Sequence, residues 1–257
     1  MKNCVIGYTG FIGGHLFKEL NIDVGFNSAN INEIGRQSYD TVYCAAPSGV
    51  KWYANKHPKR DKENVISIIE AIREVKAKRF VLISSIDVYS QPRGQNEDVS
   101  PDAEMPYGKN RLMIESFIRN KFHNHLIVRC PIVYGPGFKK NVIYDLMNDN
   151  QVHRIDPSRV LQFYDVRDFP EDLEEIERMG LKLVNLATGP VNVGEIASSV
   201  FDRDLSSYPK PDSMRYYMTS MYSYLFSHSA GNVQGFIRSS EQVMTGIKSF
   251  VRECKNE

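Results

Sequence analysis

Excess charge of one sign is missing from this sequence. Lys and Arg number 32, Asp and Glu 31, and the formal net charge is +1. No broad field draws the chain to nucleic acid or to an anionic membrane, so neither is an expected partner, and any anion must be held by local geometry. Cysteine is scarce. Cys4, Cys44, Cys130 and Cys254 lie far apart, none in a CxxC or other metal-ligand spacing. Three of them sit in apolar runs, which predicts reduced core thiols, no metal site and a cytoplasmic, reducing compartment. No apolar run is long enough to cross a bilayer, and only four residues separate Lys2 from Gly7, so neither a membrane span nor a secretory leader is expected. Repeats, low-complexity tracts and Ser/Gly linkers are absent too, so no clean linker divides the 257 residues.

What is present is a strand–helix alternation. Residues 3–8, 23–28, 40–47, 79–85 and 124–135 read as short apolar strands. Residues 10–20, 62–78 and 107–122 read as amphipathic helices between them. Continuous apolar strands alternating with helices indicate α/β architecture, a parallel sheet covered on both faces. After residue 135 the pattern is less regular: 142–147 looks helical, 160–166 and 181–187 look like strands, and 240–254 is a closing helix. The expected organisation is a dinucleotide-binding domain over 1–135 and a small, partly interwoven substrate lobe over 136–257.

The first strand runs into GYTGFIG, with Gly7, Gly10 and Gly13 three apart at the start of a helix. The first glycine permits a tight turn, the second a close backbone approach to a ligand, and the third tight helix–strand packing. Free N–H groups at the helix start then face a pyrophosphate. The plain alternative is a strand–helix turn with no ligand. After strand two, the place where a carboxylate usually takes the adenosine ribose holds Asn27 and Ser28. That removes one barrier to NADP without a following arginine to select it, Arg36 being the nearest, so NAD and NADP both stay open.

YGKNR at 107–111 sets a phenol beside two cations. At about 100° per residue, Lys109 falls on the far side of the helix and Arg111 one turn along the same face. A cation there favours phenolate and suits Tyr107 to proton exchange. Ser84 and Ser85, at the end of strand four, offer a hydroxyl where the ligand crevice of an open sheet lies.

GYTGFIG, CAAP, RFVLISSIDVYS, PYGKNRLMIE and VRCPIVYGPG, in this order, resemble the extended branch of the short-chain dehydrogenase/reductase superfamily, the NAD-dependent epimerase/dehydratase proteins that act on nucleotide sugars. The likeness spans residues 1–140 and extends more faintly to about 200. It implies a Rossmann-type doubly wound sheet, and a reaction carried by Ser85 and Tyr107 with Arg111 where the family has lysine. It implies cofactor contacts from Thr9, Phe11 and Ile12 beside the three glycines, and from Cys44, Ala45, Ala46 and Pro47 on the adenosine side. Asn64 is expected under the cofactor, with Ser84 near it and Pro131, Ile132 and Val133 near the nicotinamide. A homodimer through the two long helices is a further family expectation.

Asp87 takes the place of the dehydratase glutamate. Its plain alternative, a carboxylate bonded to the following turn, is favoured, which leaves keto reduction or 4-epimerisation as the expected reaction. For a nucleotide sugar, Lys139 and Lys140 are the candidates at a diphosphate and Asn141 at the sugar or base, with Arg154, Arg159 and Gln162 as further substrate candidates. His123 and His125 lack further ligands. Trp52 and Tyr53 either overhang the cleft or pack, and the aromatic run 216–226 is core or subunit contact. The competing function class is a cofactor-binding sensor or scaffold that has lost catalysis, motivated by Arg111 and the short second lobe.

Overall fold

The computed structural model of the chain describes residues 2–205, 215–226 and 235–256. In chain order the strands are β1 (Lys2–Ile6), β2 (Val24–Phe26), β3 (Ser38–Cys44), β4 (Lys76–Ser85), β5 (His125–Cys130), β6 (Ile132–Tyr134), β7 (Val160–Leu161), β8 (Phe163–Asp165), β9 (Leu183–Asn185) and β10 (Val191–Asn192). The helices are α1 (Phe11–Glu19), α2 (Lys51–Lys56), α3 (Pro58–Ile72), α4 (Pro106–Lys121), α5 (Val142–Met147), α6 (Phe169–Arg178), α7 (Val193–Phe201) and α8 (Ser240–Asn256). None of the described helices is long and apolar enough to cross a membrane.

The chain forms two compact units. The first comprises residues 1–90, 99–130 and 169–184, and the second residues 91–98, 131–168 and 185–257. Residues 169–184, read from the sequence as part of the second lobe, thus belong to the first unit. The first unit is built on a six-stranded sheet of order β2-β1-β3-β4-β5-β9. β2, β1, β3, β4 and β5 pair in parallel, with Ile6 opposite Phe26 and Cys44, and Ser85 opposite Cys130. The helices pair as α3 with α4 and α1 with α6. Strand order reverses at β1, between β2 and β3, and a ligand crevice of an α/β sheet opens beyond the strand C-termini at that point.

Apolar periodicity explains the core. Val65, Ile69 and Ile72 of α3 and Ile114 and Ile118 of α4 pack on Val42, Phe80, Leu82 and Ile127 of the sheet. The helix expected over 62–78 starts earlier, at Pro58, which suits a first helical turn, and ends at Ile72. Val75 keeps the helical spacing and is buried, but it lies in the turn into β4. The strand expected over 124–135 is two strands. Pro131 has no N–H to continue the ladder, so β5 stops at Cys130 and Ile132–Tyr134 pair with β8 in the second unit.

One buried polar cluster fixes α4 to the sheet. Glu115 of α4 accepts from Arg129 of β5 at 3.1 Å (Nε) and 2.7 Å (Nη2) and from Ser84 Oγ of β4 at 2.6 Å. Arg129 also donates to the Tyr89 hydroxyl at 2.7 Å. Glu115 and Arg129 are wholly excluded from solvent. In the second unit, Gln162 separates β7 from β8. Its amide donates to the carbonyls of Thr188 and Met218 and accepts from Met218 N–H.

Removing Glu115 leaves a guanidinium buried without its counter-charge. Glu115→Ala is expected to destabilise the protein by about 3–5 kcal/mol, read as a lowered denaturant midpoint. A change below about 1 kcal/mol would mean the pair does not hold α4 in place.

Candidate active site

The glycine turn fits the demands made of it. Gly7 follows β1 at φ 85° and donates to Phe26 O at 2.7 Å. A Cβ at Gly13 would lie 2.2 Å from Gly7 O, so only glycine lets α1 sit this close to β1. Gly10 caps α1 with no side-chain hydrogen bond, and no acidic residue stands in the first turn. A Cβ there would meet only Gly7 O within 4 Å and otherwise project into open space. Thr9 and Gly10 are exposed, and Phe11 and Ile12 are half-buried. A helix start with no side-chain cap, no acidic residue in its first turn and an unfilled cradle suit a pyrophosphate.

Around this turn the adenosine-side residues differ in what they offer. Ala45, Ala46 and Pro47 follow β3 and are half-buried, and Gly7 backs onto Ala45 O. Cys44 is buried, with Sγ directed to Ala46 O, and burial pushes its thiol up to about 12, so its side chain offers no polar contact. Beyond β2, the Asn27 side chain accepts from Ala29 N–H at 2.9 Å while Asn27 N–H donates to Asn30 Oδ1 at 2.7 Å. Asn27 is thus folded into its own turn, and Ser28 is exposed. Arg36 is ion-paired with Glu33.

Tyr107 stands in the first turn of α4, behind Pro106. The helix has no cap of its own at Met105, and the Asn55 side chain of α2 accepts the Tyr107 N–H at 3.0 Å instead. A Cβ at Gly108 would fall 2.2 Å from Asp87 O. Glycine at 108 therefore lets α4 rest on the 3-10 turn Ile86–Val88 that follows Ser85. That contact sets the Ser85 hydroxyl near the Tyr107 phenol, where it lowers the phenol's pKa. Ser85 also accepts from Asp87 N–H at 3.1 Å.

Arg111 lies where the helical spacing predicts, its Cζ 4.2 Å from the Tyr107 ring centroid. What anchors it was not predicted. Nη1 and Nη2 grip Asp61 of α3 at 3.1 and 3.3 Å, Nη2 also donates to Ser48 O at 2.7 Å, and Asn110 donates to Asp61 at 2.8 Å. Arg111 and Asp61 are both buried. The need for a counter-charge to a buried arginine was the available signal, and Asp61 at the start of α3 answers it.

The electrostatic expectation needs correcting. Burial is the largest influence on Tyr107 and raises its pKa. Arg111 lowers it, the Asp87 carboxylate raises it, and hydrogen bonds from Ser85 and Arg111 lower it. The net direction is upward, so the cation moderates the phenol without turning it into phenolate at neutral pH.

Other predicted residues are drawn elsewhere. Ser84 points to the opposite face from Ser85, as neighbours in a strand must, and its hydroxyl is committed to Glu115. Asn64 is on the exposed face of α3; the buried polar residue of that helix is Asp61. The Asp87 carboxylate, expected to bond the following turn, meets Lys51 Nζ of α2 at 2.6 Å and Ser85 Oγ at 3.4 Å, while its backbone N–H donates to Ser85 Oγ. Lys51, Asn55 and Gly108 were missed by the sequence reading.

In the second unit, Pro131, Ile132 and Val133 are half-buried, the last two in β6. Asn141 caps α5, accepting from Ile143 and Tyr144 N–H and donating to Val133 O, so its side chain is fully engaged. Gln162 is the buried clasp described above and does not face solvent. Lys139 is exposed. His125 bonds Phe122 O, and among the described residues no group of three His, Cys, Asp or Glu could hold a metal.

Comparison with known proteins agrees with this layout. Residues 21–169 match the sequence profile described as the NAD dependent epimerase/dehydratase family. No curated protein matches the chain by sequence. Among solved structures, a dTDP-4-dehydrorhamnose reductase from Clostridium acetobutylicum superposes with TM-score 0.72 at 15% identity, covering 99% of this chain and 100% of its own. The UDP-glucose 4-epimerase of Thermotoga maritima, solved with UDP-glucose, gives TM-score 0.72 at 16% identity, covering 100% and 99%. The UDP-glucuronic acid 4-epimerase of Bacillus cereus, solved with UDP-glucuronic acid and NAD, gives 0.71 at 18%, covering 99% and 100%. At these identities the structures show a shared fold, while the profile spans more than half of the sequence: the chain belongs to the NAD dependent epimerase/dehydratase family.

Proposed function

We propose that the protein is an NAD(P)-dependent enzyme acting at a hydroxyl- or keto-bearing carbon of a nucleotide sugar, by keto reduction or by epimerisation through a transient ketone. The observation that carries this reading is the cluster of Ser85, Tyr107 and Arg111 beyond the C-terminal end of β4. It lies on the sheet edge that also bears the Gly7–Gly13 turn. The glycine turn and the N–H groups ahead of α1 would hold the pyrophosphate, with Ala45, Ala46 and Pro47 alongside. When bound, the nicotinamide supplies or takes up the hydride.

The chain's own groups do the rest. The Ser85 hydroxyl orients the substrate oxygen by hydrogen bonding. Burial keeps Tyr107 protonated across neutral pH, so it presents a proton to a ketone oxygen. Arg111 carries a permanent charge that offsets the phenolate formed when that proton leaves. The absence of a carboxylate after β2 admits NADP beside NAD. Of the second-unit candidates, Lys139 keeps a solvent-facing ammonium suited to a diphosphate.

Product analysis after incubation with NAD or NADP and a panel of UDP- and dTDP-sugars tests the reading. Tyr107→Phe is expected to lower turnover by about 100-fold or more, with NAD affinity by calorimetry nearly unchanged. Full turnover by that variant would remove Tyr107 from the chemistry. NAD binding with no turnover by the wild-type protein on any sugar would favour the sensor or scaffold reading.

Tyr107 should also titrate above the ordinary tyrosine value of about 10. The neutral phenol is the form the fold favours, so its contribution to stability is present below that value and is lost as pH rises through the folded pKa. In NMR of ring-labelled tyrosine, assigned with Tyr107→Phe, Arg111→Met should move this titration higher still. A downward move would contradict the sign given to Arg111.

A further inference from the structure

The family's lysine can give up a proton; Arg111 cannot, because a guanidinium stays charged in proteins. Its Nη1 and Nη2 are moreover bonded to Asp61 and Ser48 O. Tyr107 is 7% exposed, and a bound substrate would cover it further. A phenol that hands over its proton at this place has to be recharged from inside the protein.

We propose that Lys51 recharges Tyr107, through Asp87 and Ser85. This rests on the reading of Tyr107 as the acid/base. Lys51 opens α2, and it comes from a different element than the position it replaces. Its Nζ lies 2.6 Å from Asp87 Oδ1. The other carboxylate oxygen lies 3.4 Å from Ser85 Oγ, and the Ser85 hydroxyl stands near enough to the phenol to lower its pKa. The four groups follow one another as a polar series. The Lys51 side chain is 35% exposed and that of Asp87 17%, while Ser85 and Tyr107 are buried, so the chain leads from solvent to the reacting hydroxyl.

The step balances. After Tyr107 has protonated the substrate oxygen, Ser85 Oγ–H donates to the phenolate oxygen. Ser85 takes a proton from the Asp87 carboxyl, which has received it from the Lys51 ammonium and turned about its Cβ–Cγ bond. The net change is one proton moved from Lys51 to Tyr107, leaving a neutral amine that water reprotonates. No electrons change hands. Burial strengthens the phenolate as acceptor, and the charged groups facing it are Arg111, with Asp61 behind it, and Asp87, with Lys51 behind it.

The test compares Lys51→Arg, Lys51→Met and Tyr107→Phe in the full chain, with two readouts. The first is the NMR titration of Tyr107 without added ligand. Lys51→Arg keeps the charge and should leave the titration in place; Lys51→Met leaves the Asp87 charge uncompensated and should move it up. The second is kinetic, with NAD(P)H and the sugar nucleotide that the wild-type protein turns over. Tyr107 starts protonated, so Lys51→Arg should spare the first turnover and slow the steady state by about tenfold or more. Steady-state turnover of Lys51→Arg at the wild-type rate would overturn the relay, because arginine keeps the ion pair but cannot give up the proton. So would a Tyr107 titration unmoved in Lys51→Met. Turnover by Tyr107→Phe would instead remove the underlying acid/base reading, a result seen before either Lys51 variant is scored.

Discussion

The ion pair between Glu115 and Arg129 is the constraint on which the rest of the first unit depends. Two charges with no access to solvent are tolerated only when their hydrogen-bonding capacity is met, and here Ser84, Tyr89 and Arg119 add to the pair. The same contacts tie three elements together. Ser84 and Arg129 face each other across β4 and β5, and Glu115 comes down on them from α4. Once α4 is pinned there, two turns back along it Tyr107 has little freedom, and the close approach of Gly108 to Asp87 O sets its distance from Ser85. The pair that shapes the candidate site is thus about two helical turns away from it.

A second buried pair, Arg111 with Asp61, has the opposite character. It lies against the Tyr107 phenol and modifies its electrostatics directly. Lysine at 111 would present a compact ammonium able to lose its proton. Arginine presents a wide fork that spans Asp61 and Ser48 O at once. On the proposed relay, the substitution separates two duties, holding positive charge beside the tyrosine and passing protons: the first stays at 111, and the second falls to groups arriving from α2 and the turn after β4.

Much of the fold was legible because it rests on local signals. Apolar runs of strand length gave β1, β3, β4 and β5; helical spacing gave α1, α3, α4 and α8; three glycines at fixed offsets gave the first turn. The parts that were not legible depend on partners distant in sequence. Lys51–Lys56 carries too few apolar residues to show a period, and its helix exists through contacts to α3 and α4. Asp61 looks like an ordinary first-turn acid until Arg111, fifty residues on, is placed beside it. Asn141 and Gln162 were chosen as polar residues suited to a sugar, and both satisfy backbone groups that the sequence cannot show to be otherwise unpaired. Ser85, Tyr107 and Arg111 follow a motif that fixes their relative placement. Ser84 bonds Glu115 because side chains alternate along β4, which turns it to the face opposite Ser85.

The discontinuous first unit has a consequence for biosynthesis. The strand that neighbours β5 is β9, which begins more than fifty residues after β5 ends. While the chain emerges from the ribosome, the outer edge of β5, with its Leu126, Ile127 and Val128, has no neighbour until Leu183–Asn185 has been made. An apolar edge left open that long invites pairing with another nascent copy. Slow translation between residues 131 and 182 would lengthen the exposure, and a chain ending before β9 would keep that edge bare permanently.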